Sequence, residues 1–381
     1  MIKIVFIAPT IQHYRLSFYE KLANCEGYDL VVFHGVQNGE NGRPVFKGKI
    51  PFKNIGFKAF RLGLYPFEFE YYKGMYSQIK KTNPDIIILS AISGNITHRR
   101  VLSWAKNNQK KSIVWTCGWE PGLAKGLLLK FKNKLVSSFL KKGSFFLTYS
   151  SHANLYLESM GINNSLIETC YNGIETDSMV QNEQKTISES KEIIDKYGLK
   201  DNITFLYVGG LLSPKKVDLL IDAFVHLRKS YSNIKLLIIG DGPLKDIMLK
   251  KIDGLADSNI LYLGRITNGV DSYFLASDCL VLPGAGGLAL NQAMYWEKPC
   301  IVGKADGTEE DLVIENFSGY RFEENNLESL ICAMDKRINE SPDKLKLLSV
   351  NAHQIIVNKS NVNNMVRVFS KAINNLITKN I

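Results

Sequence analysis

Nowhere in its 381 residues does the chain hold an apolar run near the roughly 18 residues a membrane-crossing helix needs. A membrane-spanning reading is therefore set aside. Residues 1–8 form a short, weakly basic, strand-like run that lacks the layout of a secretory leader. The six cysteines (Cys25, Cys117, Cys170, Cys279, Cys300 and Cys332) include no pair at metal or redox spacing. A disulfide framework and structural zinc are both disfavoured, and a reducing, cytoplasmic compartment fits best. No short-period repeat exists, which excludes a solenoid. No zinc finger or RNA-recognition signature accompanies the basic residues, so no nucleic-acid partner is expected. With 45% hydrophobic and 22% charged residues, the chain is neither disordered nor fibrous.

What it has in excess is positive charge, +10 overall, and this is unevenly spread. Residues 1–180 hold 23 Lys and Arg against 12 Asp and Glu, whereas the remainder holds 24 against 25. The first half is thus expected to meet an anionic membrane surface or a phosphorylated substrate. Strand-like runs alternate with helical patterns throughout, as in a parallel α/β sheet. Residues 2–8, 29–34, 85–90, 112–116 and 144–149 read as buried strands, with helices at 14–23 and 101–107. The polar stretch 181–200 reads as a linker with one short helix. The pattern then restarts, with strands at 204–209, 234–239, 260–263, 279–282 and 299–302 and helices at 218–230, 243–252 and 290–296.

Such a length suits two cores better than one. The expected fold is α/β, with two Rossmann-like doubly wound domains facing across a cleft. The first spans 1–180, the linker 181–200 and the second 201–360; a C-terminal helix at 361–381 packs back on the first. In such sheets ligands lie outside the carboxyl ends of the strands.

Three loops at these ends in the second half are rich in glycine. Gly209 and Gly210 precede Leu211-Leu212-Ser213-Pro214-Lys215-Lys216 and a helix from Val217. Glycines let a backbone approach a pyrophosphate, helix N-terminal amides stabilise its charge, and lysine adds a compact cation. The same pattern also fits a turn that needs glycine beside two solvated lysines. Ile239-Gly240-Asp241-Gly242-Pro243 is a strand end, a tight turn and a helix start, a weaker signal on its own. Pro283-Gly284-Ala285-Gly286-Gly287-Leu288-Ala289 can form a concavity of backbone amides, or simply close helix–sheet packing.

The runs FLYVGGLLSPKKVDLLIDAF, KLLIIGDGPL, NILYLGRI and ASDCLVLPGAGGLALNQAMYWEKPCIV, in this order, resemble the donor domain of glycosyltransferase family 4. That family groups retaining enzymes of the GT-B fold. Tyr171-Asn172-Gly173-Ile174-Glu175 resembles its interdomain NGI(D/E) segment. The likeness covers about residues 165–320 and extends more loosely over the first half. It implies a nucleoside diphosphate sugar as donor and neither cofactor nor metal. It assigns donor binding to Gly209, Gly210, Lys215, Gly240, Gly264, Arg265, Gly286, Gly287, Leu288, Ala289 and Gln292. Lys215 falls on the pyrophosphate lysine, and Gly264 and Arg265 fall beside the nucleobase. Two departures stand out. The family's phosphate-loop arginine is Gly210 here, and its two donor-loop glutamates, eight positions apart, are Gly284 and Gln292. Gln292 retains hydrogen-bonding capacity for a ribose; Gly284 cannot replace a carboxylate.

In the first half, loops follow the strands near residues 8, 88 and 114. His13, Arg15, Asn95, His98 and Trp119 are the acceptor-binding candidates there, with the alternative that such histidines and tryptophans serve the core. Glu120 joins Lys215 and Arg265 as a catalytic candidate. Residues 126–142 (GLLLKFKNKLVSSFLKK) form a basic amphipathic helix, either an ordinary surface helix or an interfacial one on anionic lipid. The expected activity is transfer of a sugar to a lipid-linked or oligosaccharide acceptor, with retention, in polysaccharide or lipopolysaccharide biosynthesis at the inner face of the cell membrane. A non-catalytic nucleotide-sugar-binding relative and a nucleotide-sugar epimerase, with Glu120 and His98 as acid–base groups, are the alternatives.

Overall fold

The computed structural model describes residues 1–36, 46–63, 69–90, 92, 94–118, 126–305 and 307–378, with the backbone alone over 126–132. It contains two compact units, Met1–Glu175 with Val362–Ile381, and Thr176–Asn361.

The first unit holds β1 (Ile2–Ala8), β2 (Tyr28–Gly35), β3 (Asn54–Phe57), the antiparallel pair β4 (Ala59–Leu62) and β5 (Phe69–Tyr72), β6 (Ile86–Ser90), β7 (Lys111–Thr116), β8 (Phe145–Thr148) and β9 (Ile167–Thr169). Seven of these make one sheet in the order β3-β2-β1-β6-β7-β8-β9. Every pairing within it is parallel. Residues 4–8 are buried without alternation because both faces of a parallel sheet are covered. The strand order reverses between β1 and β6, the point where a doubly wound sheet opens for a ligand.

One face packs Phe6, Phe18 and Trp115 against the helix Val362–Thr378. That helix buries Val362, Met365, Phe369, Ala372, Ile373 and Leu376, an apolar stripe at helical spacing. Phe369 meets Trp115 edge-on at 5.2 Å. The C-terminal helix is therefore part of the first unit's core.

The second unit holds β10 (Ile203–Val208), β11 (Ile234–Ile239), β12 (Ile260–Gly264), β13 (Cys279–Leu282), β14 (Cys300–Val302) and β15 (Gly319–Arg321). They form a parallel sheet ordered β12-β11-β10-β13-β14-β15 that reverses between β10 and β13. The stretch 181–200 is not a linker. Most of it is the helix Glu183–Tyr197, which buries Thr186, Ser190 and Ile193, and whose Glu189 accepts a 2.7 Å hydrogen bond from Ser272. Sparse apolar residues at helical spacing made it look solvated. The chain instead leaves the first unit after Glu175 and returns at Val362, whose N–H donates to Ile174 O at 2.9 Å. Among the described residues no helix is long and apolar enough to cross a membrane.

Candidate functional site

In the second unit the glycine loops interlock backbone to backbone. Gly209 N–H donates to Ile239 O at 3.0 Å, Leu211 N–H to Asp241 O at 3.0 Å, and Gly240 N–H to Gly264 O at 2.8 Å. A Cβ on Gly240 would lie 1.9 Å from Gly209 O, so only glycine fits there. Tyr207 and Tyr262 brace the same turns, their hydroxyls donating to Gly210 O and Gly240 O at 2.9 and 3.0 Å.

The donor loop is tied to the lysine turn Ser213–Lys215. Ala285 N–H donates to Pro214 O at 2.9 Å. The Lys215 ammonium donates to Ala285 O at 2.5 Å and also to Gly286 O. Lys216 turns away and pairs with Glu324 at 2.8 Å, so Lys215 is the lysine that reaches the loop. A Cβ on Gly284 would lie 2.1 Å from Pro214 O, which explains why this position holds no side chain. From the other side, Glu309 Oε1 accepts the Gly286 N–H at 2.8 Å, with Glu309 only 1% exposed. Gly286 is therefore gripped by the lysine ammonium at its carbonyl and by a carboxyl oxygen at its amide.

Two helices begin at this end, Val217–Arg228 and Leu288–Tyr295, and neither has a side-chain cap. Their first-turn N–H groups and dipoles favour an anion. Leu288 and Ala289, half-buried, open the second of them. Arg265 is exposed just after β12 and has no hydrogen-bond or ion-pair partner among the described residues.

Gln292 is half-buried, and its amide donates to Asp271 at 3.4 Å, a long contact. Asp271 also accepts the Trp296 indole N–H at 2.8 Å. Burial raises the Asp271 carboxyl above the ordinary carboxylate range, while these two donors pull it back. Gln292→Glu would set a second carboxylate against Asp271. The new carboxyl's folded pKa is then raised, so stability present at acid pH is lost as pH rises through it. Urea unfolding of Gln292→Glu is expected to show a deficit growing between about pH 4 and 7, removed by adding Asp271→Asn. A pH-independent deficit refutes the contact.

Neither Glu309 nor Asp271 was singled out by sequence. The only cue was position: the acidic run Glu309-Glu310-Asp311 opens a short helix after β14, and Asp271 opens a helix after β12.

In the first unit, His13 is exposed, its ring edge-on to Tyr14 at 5.4 Å. Arg15 is 8% exposed, its guanidinium carbon 4.4 Å from the centre of the Trp115 ring. Asn95 is fully buried and caps the helix Ile96–Asn107, accepting His98 N–H at 3.1 Å and donating to Glu70 at 2.9 Å. His98 is also fully buried, its ring 6.1 Å from that of Tyr72. Asn95 and His98 thus work within the fold at this strand end. Trp119 and Glu120 lie outside the described residues.

Burial lowers the His98 pKa from 6.5 to about 4. The Ser90 carbonyl offsets part of this, though neither ring nitrogen reaches hydrogen-bonding geometry. A histidine with a depressed folded pKa binds its proton in the unfolded chain first, so stability falls as pH drops below 6.5 and levels off below about 4. Wild type is expected to lose about 2 kcal/mol more than His98→Gln between pH 7 and 5, measured by urea unfolding. Parallel curves would overturn this.

Residues 189–354 match the family model described as glycosyl transferases group 1. An uncharacterized glycosyltransferase of Methanocaldococcus jannaschii is 25% identical over 262 residues, 65% of this chain and 64% of that protein. Alpha-monoglucosyldiacylglycerol synthase of Acholeplasma laidlawii is 31% identical over 173 residues, 44% of this chain and 42% of that protein. The match therefore spans less than two thirds of either relative. Among solved structures, HepE of Anabaena in complex with UDP superposes with a TM-score of 0.74 at 14% identity, covering 98% of this chain and 100% of that one. The chain thus shares the GT-B fold of these structures, and residues 189–354 of its second unit are similar to the glycosyl transferases group 1 model.

Proposed function

We propose that the chain transfers a glycosyl group from a nucleoside diphosphate sugar to a lipid-linked or oligosaccharide acceptor, with retention. The observation that carries this is the convergence of Lys215, the gripped Gly286 and two uncapped helix N-termini at one end of the second unit's sheet. Such an array stabilises a departing diphosphate without reorganising. Arg265 adds charge, Gln292 takes the ribose, and no metal is required. The acceptor hydroxyl attacks the anomeric carbon from the leaving-group side; its proton passes to the departing phosphate oxygen as the glycosyl bond to the diphosphate breaks. HepE has been solved with UDP-glucose as well as UDP, which makes UDP sugars the first donors to try.

Thermal unfolding with a panel of nucleotide sugars tests the donor, since a ligand at a hundredfold excess over its dissociation constant stabilises by about 2.7 kcal/mol. Donor-dependent release of nucleoside diphosphate in excess chelator, with the product anomer read by NMR, tests the chemistry. Binding without release would favour the non-catalytic reading, which Gly284 motivates by the absence of a carboxylate. An epimerase would need titratable groups at the sugar, a poor role for the buried His98.

The acceptor's place in this reading is an anionic membrane, met through the helix Gly126–Leu140. The Acholeplasma relative, named for a glucosylated diacylglycerol, supports a lipid acceptor. Phe139 and Leu140 anchor this helix in the core, while Lys134 and Leu135 are exposed. Each lysine near anionic lipid contributes about 1 kcal/mol, screened by salt. Co-sedimentation with anionic but not neutral liposomes is expected, lost in Lys130→Glu/Lys132→Glu/Lys134→Glu. Equal binding to both liposome types, or to neither, points to a soluble acceptor.

A further inference from the structure

At the carboxyl end of β1, in the first unit, two hydrogen-bond donors, Arg15 and the Trp115 indole, lack a strong acceptor among the described residues. Arg15 is only 8% exposed, yet no carboxylate among the described residues lies within ion-pair distance of it. Its guanidinium carbon lies 4.4 Å from the centre of the Trp115 ring and 5.5 Å from that of Tyr14. One of its nitrogens reaches the Met365 thioether at 3.7 Å. That sulfur, a weak acceptor, also takes the Gly173 N–H at 3.1 Å. The Trp115 indole N–H is buried with no partner among the described residues.

A guanidinium carries five N–H donors in a plane. Aromatic faces offset part of the cost of burying its charge, but they accept no in-plane hydrogen bond. A structural arginine at this depth is ordinarily paired, because an uncompensated buried charge is costly. Nearby Lys21 shows the ordinary solution, pairing with Glu175 at 3.0 Å. Arg15 has no such pair, and it stands at the strand end where a doubly wound sheet takes its ligand. The Arg15 fork and the Trp115 indole N–H are both donors, so the partner that suits them is an acceptor, and beside a buried cation it is an anion.

We infer that this corner of the first unit is an oxyanion site, holding a phosphate or carboxylate of the glycosyl acceptor on Arg15 and the Trp115 indole N–H. The inference rests on the reading that the first unit takes the acceptor. It makes the acceptor an anion, either a lipid phosphate or an acidic glycan. The planar fork of Arg15 supplies bidentate geometry for either.

Calorimetric titration of the full chain with citronellyl phosphate, inorganic phosphate, glucuronic acid and glucose tests this, with UDP as a separate arm. At least one anion is expected to bind and glucose is not. Arg15→Met is expected to weaken the anion at least tenfold, leave UDP affinity unchanged, and melt no lower than wild type. Arg15→Lys, which keeps the charge without the fork, should fall between. Tighter citronellyl phosphate than inorganic phosphate identifies a lipid phosphate; preference for glucuronic acid identifies an acidic glycan. Equal anion binding by wild type and Arg15→Met, no anion binding where UDP binds, or an Arg15→Met chain melting well below wild type would overturn the site. Absent UDP binding would instead overturn the donor reading.

Discussion

Lys215→Ala is expected to lower nucleoside diphosphate affinity by about 1.5–3 kcal/mol, roughly tenfold to more than a hundredfold. Two losses combine. The ammonium beside two uncapped helix N-termini disappears, and so do its bonds to Ala285 O and Gly286 O, which hold the donor loop against the Ser213–Lys215 turn. Lys215→Gln separates them, because an amide can still donate to a carbonyl while the charge is gone. A recovery of thermal stability without recovery of affinity assigns the effect to charge. Calorimetric titration with UDP is the measurement, and wild-type affinity in Lys215→Ala would remove Lys215 from the donor site. The carbonyl bonds show that the lysine organises the loop, so losing its charge and losing its bonds are coupled changes whose effects do not add.

Gly284→Ala and Gly284→Glu are both expected to destabilise the chain, by about 1–3 kcal/mol for the first and more for the second. The reason is backbone against backbone. A Cβ there would stand 2.1 Å from Pro214 O and 3.0 Å from the carbonyl carbons of Pro214 and Lys215, none of which can swing aside like a side-chain end. The shift would also strain the Ala285–Pro214 hydrogen bond, and with it the seat of Lys215. Introducing by Gly284→Glu the carboxylate that the sequence resemblance leads one to expect should therefore lower UDP affinity. Urea unfolding and UDP titration of both variants check this. A Gly284→Glu chain of wild-type stability with higher transferase activity would show that the loop has room for the acid. In the native chain Glu309 brings a carboxyl group to this loop from a different helix. A side chain bound to the Gly286 amide can hold the loop's shape without occupying the position that Gly284 vacates.

Much of the architecture was legible from short-range patterns. Burial of β1, β2, β6, β7 and β8, and of β10 to β14, follows from apolar runs between turn residues, because the period of a strand is a local property. β3, β4, β5, β9 and β15 were missed. Each has only three or four residues, and β4 exposes Phe60 and Leu62. The carboxyl ends of the second sheet's strands were marked by glycine, since a positive φ or a close backbone approach excludes other residues locally.

What tertiary structure decided was every relation between residues far apart in sequence. The Lys215 bonds cross 70 and 71 residues, and the Glu309–Gly286 bond crosses 23. Gly284 looked like a missing acid until Pro214 O was found where its Cβ would be. The stretch 181–200 looked like a linker until its few apolar residues met the rest of the second unit. His98 and Arg15, both candidates at strand ends, parted company: one is buried neutral beside Tyr72, the other buried charged beside Trp115 with no counter-ion among the described residues. Backbone period and glycine tolerance are set within a few residues of chain and can be read from it. Desolvation, ion pairing and steric exclusion depend on which distant groups arrive within about 4 Å, and only the folded chain determines that.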